Sequence, residues 1–149
     1  DLLRNMLLRV AKMRGFASRI VEGYKVVATG PAAEARSLSG GNLQKFIIGR
    51  EILQRPEILI AAHPTWGVDA GAAAAIQQAL LDLAKGGAAV LVVSQDLDEL
   101  FAISDRLAVI CEGRLSAGRP TKDTTVEQAG LLMGGMFDDQ GNIIESHAA

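Results

Sequence analysis

Apolar residues open the chain at helical spacing, and further along the period changes. Leu2, Leu3, Met6, Leu7, Val10 and Met13 line one face, with Arg4, Arg9, Lys12 and Arg14 between them. This pattern predicts an amphipathic helix over 1–14, closed by Gly15. A shorter helix is predicted from Ala17 to Glu22 with Gly23 as its stop, and residues 24–37 read as irregular around Gly30-Pro31. Phe46, Ile47, Ile48, Ile52 and Leu53 predict a helix from near Gly41 to about Gln54, closed by Pro56. Glu57 to Ala62 is then a short apolar run, the pattern of a buried strand.

The alternation continues. Pro64 and Gly67 mark a loop, Ala70 to Lys85 is an alanine-rich helix stopped by Gly86-Gly87, and Ala88 to Ser94 is a second buried strand. Asp96-Leu97-Asp98-Glu99 reads as a capping box for a helix through Ile103. Arg106 to Glu112 is predicted as a third strand, turned at Gly113, with Arg114 to Gly118 pairing back. Thr124 or Thr125 caps a helix to Met133, and the chain from Asp138 reads as polar and loose. Strand, helix, strand, helix, strand at these lengths implies an α/β architecture with a parallel sheet, preceded by a mostly helical portion.

Composition narrows the class. The 149 residues are 49% hydrophobic and 21% charged, which excludes wholesale disorder; at 4% aromatic, the core must be Leu, Ile, Val and Ala. One cysteine, Cys111, excludes an intrachain disulfide framework and reads as an inert core thiol. The longest apolar runs, such as Ala88 to Val93, are too short to cross a bilayer, and no basic-plus-apolar leader opens the chain. The net charge of −2 divides into +6 over residues 1–50 and −8 over 51–149. A basic helix face is the ordinary explanation; an approach to an anion is the alternative. Aromatics do not interleave the basic region beyond Phe16 and Tyr24, so nucleic acid is not an expected partner.

Leu38-Ser39-Gly40-Gly41-Asn42-Leu43-Gln44-Lys45 opens a helix. Its Ser-Gly-Gly turn leaves backbone N–H groups uncovered at a positive helix end, a suitable place for a phosphate. An ordinary serine cap with a glycine turn has the same sequence, and a lone Ser-Gly-Gly decides nothing. It is followed in order by Glu57 to Ala62, His63-Pro64-Thr65-Trp66-Gly67-Val68-Asp69, Val90 to Asp96, Ser104-Asp105-Arg106 and Val109 to Arg114.

In that order and spacing, about residues 36–118 resemble the nucleotide-binding domain of ABC transporter ATPases. Leu38 to Lys45 is similar to the family's signature, and Ile58 to Thr65 occupies the acidic strand-end segment (Walker B). Gly67-Val68-Asp69 is similar to the D-loop, and Gln95 falls at the switch-histidine position. The form of the motifs resembles the fused double-ATPase subunits of simple-sugar and nucleoside importers, and Ile60-Ala61-Ala62 the second ATPase half of the nucleoside branch.

Two departures shape what the resemblance implies. No G-x-x-x-x-G-K-[ST] phosphate loop occurs in the sequence, so the chain is expected to be the C-terminal part of a domain: a partial P-loop fold with a helical subdomain followed by half of the core. The implied division is 1–55 helical subdomain with the signature, 56–118 α/β core half, and 119–149 C-terminal helix and tail. Where the family has Asp-Glu, this sequence has Ala62-His63, and the switch position is Gln95. Ala62 offers no ligand to Mg²⁺, a lone His after a strand is more often structural than catalytic, and Gln95 cannot exchange a proton near neutral pH. No intact catalytic set and no resident metal site are expected.

In the family, two domains sandwich two nucleotides, each between one phosphate loop and the other domain's signature. The resemblance therefore implies that Ser39, Gly40, Gly41 and Asn42 act in trans on ATP, with Asp69 bridging the halves. ATP and Mg²⁺ belong to the parent complex and none is expected on the isolated chain. The implied partners are a second nucleotide-binding domain, permease subunits and, indirectly, a substrate-binding protein, at the cytoplasmic face of a bacterial membrane. Two other readings stand: a structural or regulatory module without nucleotide, and, ranked last, half of a chromosome-maintenance ATPase, which would need an intact Asp-Glu and a preceding coiled coil. Trp66 reads as loop packing, and Met6 and Met13 as helix-face packing; His147 in the tail carries no assignment.

Overall fold

A computed structural model describes residues 3–4 and 7–144, with side chains described from Arg9 onward. The chain divides into two compact units, one reaching to Gln95 and one from Asp96. In the first unit, β1 (Leu3–Arg4) pairs antiparallel with β2 (Leu7–Leu8). Then follow α1 (Val10–Gly23), α2 (Gly40–Leu53), β3 (Ile58–Ala62), α3 (Ala70–Lys85) and β4 (Ala89–Val93).

The predicted helix over 1–14 is corrected at both ends. Residues 3–4 and 7–8 are extended, the remainder of 1–6 lies outside the described residues, and the helix that starts at Val10 runs straight through Gly15. A glycine inside a helix costs only about 1 kcal/mol, which fourteen helical residues absorb. The two predicted helices are one. It ends where Lys25 turns left-handed (φ 51°) and the Val26 N–H reaches back to the Val21 carbonyl at 2.9 Å, with the Val26 side chain buried. Met13 lies 39% exposed on this helix, so its packing is partial. Met6 falls outside the described side chains.

The strands β3 and β4 pair in parallel from Ile58 opposite Ala89 to Ala62 opposite Val93, and α3 is the crossover between them. The ladder continues past the strand end, where the His63 N–H bonds the Val93 carbonyl at 2.8 Å. Leu59 and Ala61 are buried, while Ile58, Ile60, Leu91 and Val93 on the alternate positions are exposed. Ile76 and Leu80, one turn apart on α3, complete the covered side. The helix closes as the glycine pair predicts: Gly87 is left-handed (φ 99°), its N–H bonds the Ala84 carbonyl, and the Ala88 N–H bonds that of Leu83.

The second unit holds α4 (Leu97–Ile103), β5 (Arg106–Leu107), β6 (Ile110–Cys111), β7 (Arg114–Leu115), β8 (Arg119–Pro120) and α5 (Val126–Met133). The expected third parallel strand over 106–112 is corrected. It is broken in two, with β5 pairing antiparallel to β8 and β6 to β7. The turn at Gly113 (φ 77°) brings the chain back as expected, and the hairpin satisfies locally the hydrogen bonds a parallel ladder would use. Thr125, not Thr124, caps α5 in a full capping box with Gln128. Residues 138–144 are not loose: Phe137 is buried and bridges Ile143, and the Asp138 carboxylate accepts the Gln140 and Asn142 N–H groups. His147 lies outside the described residues.

Two glycines inside helices respond to alanine in opposite senses. A Cβ on Gly15 would meet open space, but one on Gly49 of α2 would lie 2.5 Å from the Tyr24 ring. Gly15→Ala is expected to stabilise the chain by about 0.5–1 kcal/mol. Gly49→Ala is expected to destabilise it by about 1–3 kcal/mol, because ring or helix must move. Urea unfolding followed by circular dichroism reads both signs.

Candidate functional site

The first turn of α2 is built by Ser39 and Asn42. Ser39 is the N-cap, in extended conformation, and its Oγ accepts the Asn42 backbone N–H at 3.4 Å and the Asn42 side-chain amide at 2.9 Å. The other end of that amide, Oδ1, accepts the Val27 N–H at 2.8 Å, which fixes which way it faces. With both lone pairs of Oγ engaged, the Ser39 hydroxyl is left as a donor. The Gly40 and Gly41 N–H groups have no acceptor within the helix, because they precede the first closed turn.

The two glycines do different work. A Cβ on Gly41 would lie 2.7 Å from the Gly67 carbonyl oxygen, so this glycine permits the approach of α2 to the loop after β3. A Cβ on Gly40 would meet nothing within 4 Å, so that side of the turn is open to a ligand. Ser39 and Gly40 are exposed, and Asn42 is half-buried and occupied in holding the turn.

Gln44 and Lys45 continue the attachment. The Gln44 amide donates to the carbonyls of His63 (3.0 Å) and Pro64 (3.1 Å), and Pro64 is fully buried. The Lys45 ammonium, largely covered, pairs with Asp69 Oδ2 at 3.1 Å. Asp69 caps α3 through Oδ1, which accepts the Ala72 N–H at 2.9 Å. That N–H and then Lys45 hold the Asp69 carboxyl below its ordinary value. Both Asp69 oxygens therefore have partners within the chain, although the side chain stays exposed. Sequence reading placed Gln44 and Lys45 in the signature but missed this role; partners 19–24 residues away leave no local signal.

Parallel pairing puts the ends of β3 and β4 side by side, where ligands bind in open α/β sheets. Ala62, His63 and Gln95 all come to that end, and all three are exposed. His63 is left-handed (φ 47°), with its N–H on Val93 and its carbonyl on Gln44. Ala62 brings no oxygen ligand to the strand end, and among the described residues no three His, Cys, Asp or Glu gather as a metal site. Trp66 is not packed in the loop, as sequence alone suggested, but 82% exposed. Cys111, on β6, is half-buried.

The parallel strand pair, its crossover helix and the glycine turn opening α2 together have the fold of part of an ABC-type ATP-binding cassette, a P-loop α/β domain. Two solved structures carry this. The ATP-binding cassette MJ0796, in a dimeric post-hydrolysis state bound to ADP and Pi, superposes with a TM-score of 0.67 at 22% identity over 79% of this chain and 51% of that one. The cassette MJ1267 of an ABC transporter, in its ADP conformation, gives 0.56 at 26% identity over 83% and 46%.

Within that class the sequence is similar to the ATP-binding proteins of nucleoside and sugar importers. The guanosine import ATP-binding protein NupO of Bacillus subtilis (strain 168) is 43% identical over 129 residues, 87% of this chain and 25% of NupO. The galactose/methyl galactoside import ATP-binding protein MglA of Escherichia coli (strain K12) is 40% identical over 119 residues, 80% of this chain and 24% of MglA. The chain thus spans about a quarter of the length of these relatives. No protein-family model matches it. None of its described helices is long and apolar enough to cross a membrane.

The Asp69 contacts give a local pH dependence. A carboxylate whose folded value is depressed stabilises above its ordinary value, here 3.8, and that stabilisation is lost as pH falls through the lower folded value. Protection of the Ala72 and Ala73 amides, relative to their intrinsic exchange rates, is expected to fall on acidification below pH 3.8. In Asp69→Ala, which removes the acceptor, the same amides should lose protection already at neutral pH, with the acid step gone.

Proposed function

We propose that this chain is the C-terminal part of a second nucleotide-binding domain in the energy-coupling subunit of an ABC importer for nucleosides or simple sugars. Its own hydrolysis position is degenerate, and its signature completes the ATP site of the other domain. The observation that carries this is the contrast between two neighbouring features. The signature turn is fully built, with the Ser39 hydroxyl left as a donor and the Gly40 side open, while the strand end beside it holds Ala62 and His63 where a metal ligand and a water-orienting carboxylate are needed.

The exposed row Ile58, Ile60, Leu91 and Val93 supports the partial-domain reading. Parallel strands written as continuous apolar runs are normally covered on both faces, and here one face is bare. The remainder of the cassette would cover it and supply the phosphate loop. On this reading the chain divides in function at 55 and 118. Ser39, Gly40 and Gly41 donate to the partner's ATP, Asn42 holds the turn, and Asp69 lies at the junction between halves. ATP and Mg²⁺ are bound by the parent complex, whose partners are the other cassette, the permease subunits and, through them, a substrate-binding protein, at the cytoplasmic membrane face.

Hydrolysis in trans can be measured in a NupO carrying this chain in place of its matched residues. Ser39→Arg, which fills the open side of the turn with a long side chain, is expected to lower its ATPase rate about 10²-fold with the fold intact. Unchanged hydrolysis would sink the proposal. The isolated chain should bind Mg-ATP no more tightly than about 1 mM by calorimetry, since half of the phosphate site is elsewhere.

A further inference from the structure

The two halves of α1 differ in their surroundings. Phe16, Ala17 and Ser18 are half-buried and Ile20 is fully buried, so the second half is packed. From Val10 to Gly15 every residue is exposed, and a Cβ added at Gly15 would meet nothing within 4 Å. Val10 is 55% exposed; Met13, three residues on and so its neighbour on the helix surface, is 39% exposed. Around them stand the exposed Lys12 and Arg14, with Arg19 further along over the Phe16 ring at 5.5 Å. No acid occurs on α1 before Glu22, and among the described residues none of these three cations has a salt-bridge partner.

Charge and side-chain type together select the partner. The bare strand row of Ile58, Ile60, Leu91 and Val93 is aliphatic throughout, which suits closure against the rest of a core. A helix end carrying lysine and arginine does not, because such side chains almost never go inside unpaired. This end is suited to an anion. The whole chain carries −2, so an anionic surface attracts it only through the basic first third, +6 over residues 1–50. An acidic protein patch would pair the cations but give Val10 and Met13 nothing apolar to enter. An anionic bilayer surface offers both: headgroup phosphates for the cations and an acyl boundary for the two apolar side chains.

We propose that the first half of α1 docks on a membrane surface of anionic lipid, with Lys12, Arg14 and Arg19 on headgroup phosphates and Val10 and Met13 at the acyl boundary. The contact is peripheral: the helix lies on the bilayer and does not cross it. It does not depend on the in-trans reading, since the Ser39–Gly41 turn takes no part in it.

The test is co-sedimentation of the 149-residue chain with vesicles of phosphatidylcholine, alone or with about 30 mol% phosphatidylglycerol. Each basic residue near such a surface contributes about fivefold, so at about 0.05 M salt the anionic vesicles should bind the chain about 100-fold better than the neutral ones. At about 0.5 M salt that preference should collapse. Lys12→Glu with Arg14→Glu should lower binding about 25-fold or more, whereas the same charge change made by Lys85→Glu with Lys122→Glu should cost less than about fivefold. Val10→Ser with Met13→Ser should weaken binding to the vesicles about tenfold and leave any binding to soluble polyglutamate unchanged. All of these positions are exposed, and circular dichroism checks that each variant keeps its fold. No binding to anionic vesicles overturns the proposal. So does equal binding to neutral vesicles, which is adsorption through the bare strand row. An equal loss in the Lys85 and Lys122 variant overturns it as an effect of net charge. Polyglutamate bound as tightly as the vesicles, with the serine pair indifferent, makes the partner an acidic protein surface and overturns it as well.

Discussion

The close approach of Gly41 to the Gly67 carbonyl is the constraint on which the site depends. It brings the first turn of a helix against a loop 26 residues further along, and no side chain larger than hydrogen fits between them. Once the backbones touch, Gln44 reaches the carbonyls of His63 and Pro64, and Lys45 reaches Asp69. The turn that presents the Ser39 hydroxyl and the loop after β3 are thereby tied together. The pair of glycines thus serves two masters: the second satisfies the fold and the first is left for a ligand.

The same loop ties that turn to the sheet. His63 ends the β3 ladder through its N–H and receives Gln44 on its carbonyl, so the strand end and the helix start share one residue. A left-handed conformation at a residue with a Cβ is uncommon and persists where the surroundings hold it. Here Val93 on one side and Gln44 on the other do so. The imidazole is not needed for any of these contacts, so the backbone geometry of the strand end survives whatever side chain stands there. The side chain at this position can therefore change without the Ser39–Gly41 turn losing its support.

Much of the fold was legible because its signals are local. The Gly86-Gly87 stop, a threonine cap at 124 or 125, the Pro56 ending of α2 and the apolar runs of β3 and β4 each need only a few neighbouring residues. The failures come from competing local options that the sequence does not rank. Gly15 looks like a stop until the cost of one glycine is weighed against a whole helix. Arg106 to Glu112 looks like a strand beside β3 and β4, but the turn at Gly113 offers it a nearer partner. Asp138 looks like the start of a tail, yet its carboxylate closes a turn that buries Phe137. At the site, the residue types of the signature were readable, but not that Asn42 is consumed in orienting Ser39, nor that Gln44, Lys45 and Asp69 form a connection.

Within an assembly of two unequal halves, such a chain has a coherent chemistry. A phosphate held at a helix start needs donors and an open approach, and these cost little to keep because the same glycine turn is required for packing. Metal coordination and water activation need carboxylates at a strand end. When one half of a pair no longer turns over ATP, selection on its acids relaxes while selection on its donor turn does not, since the other half still uses it. On the proposed reading, the turn serves two dependents, the fold and the partner, and the strand-end acids would serve one. A built Ser39–Gly41 turn beside Ala62 and His63 is the residue pattern that the proposed asymmetry would produce.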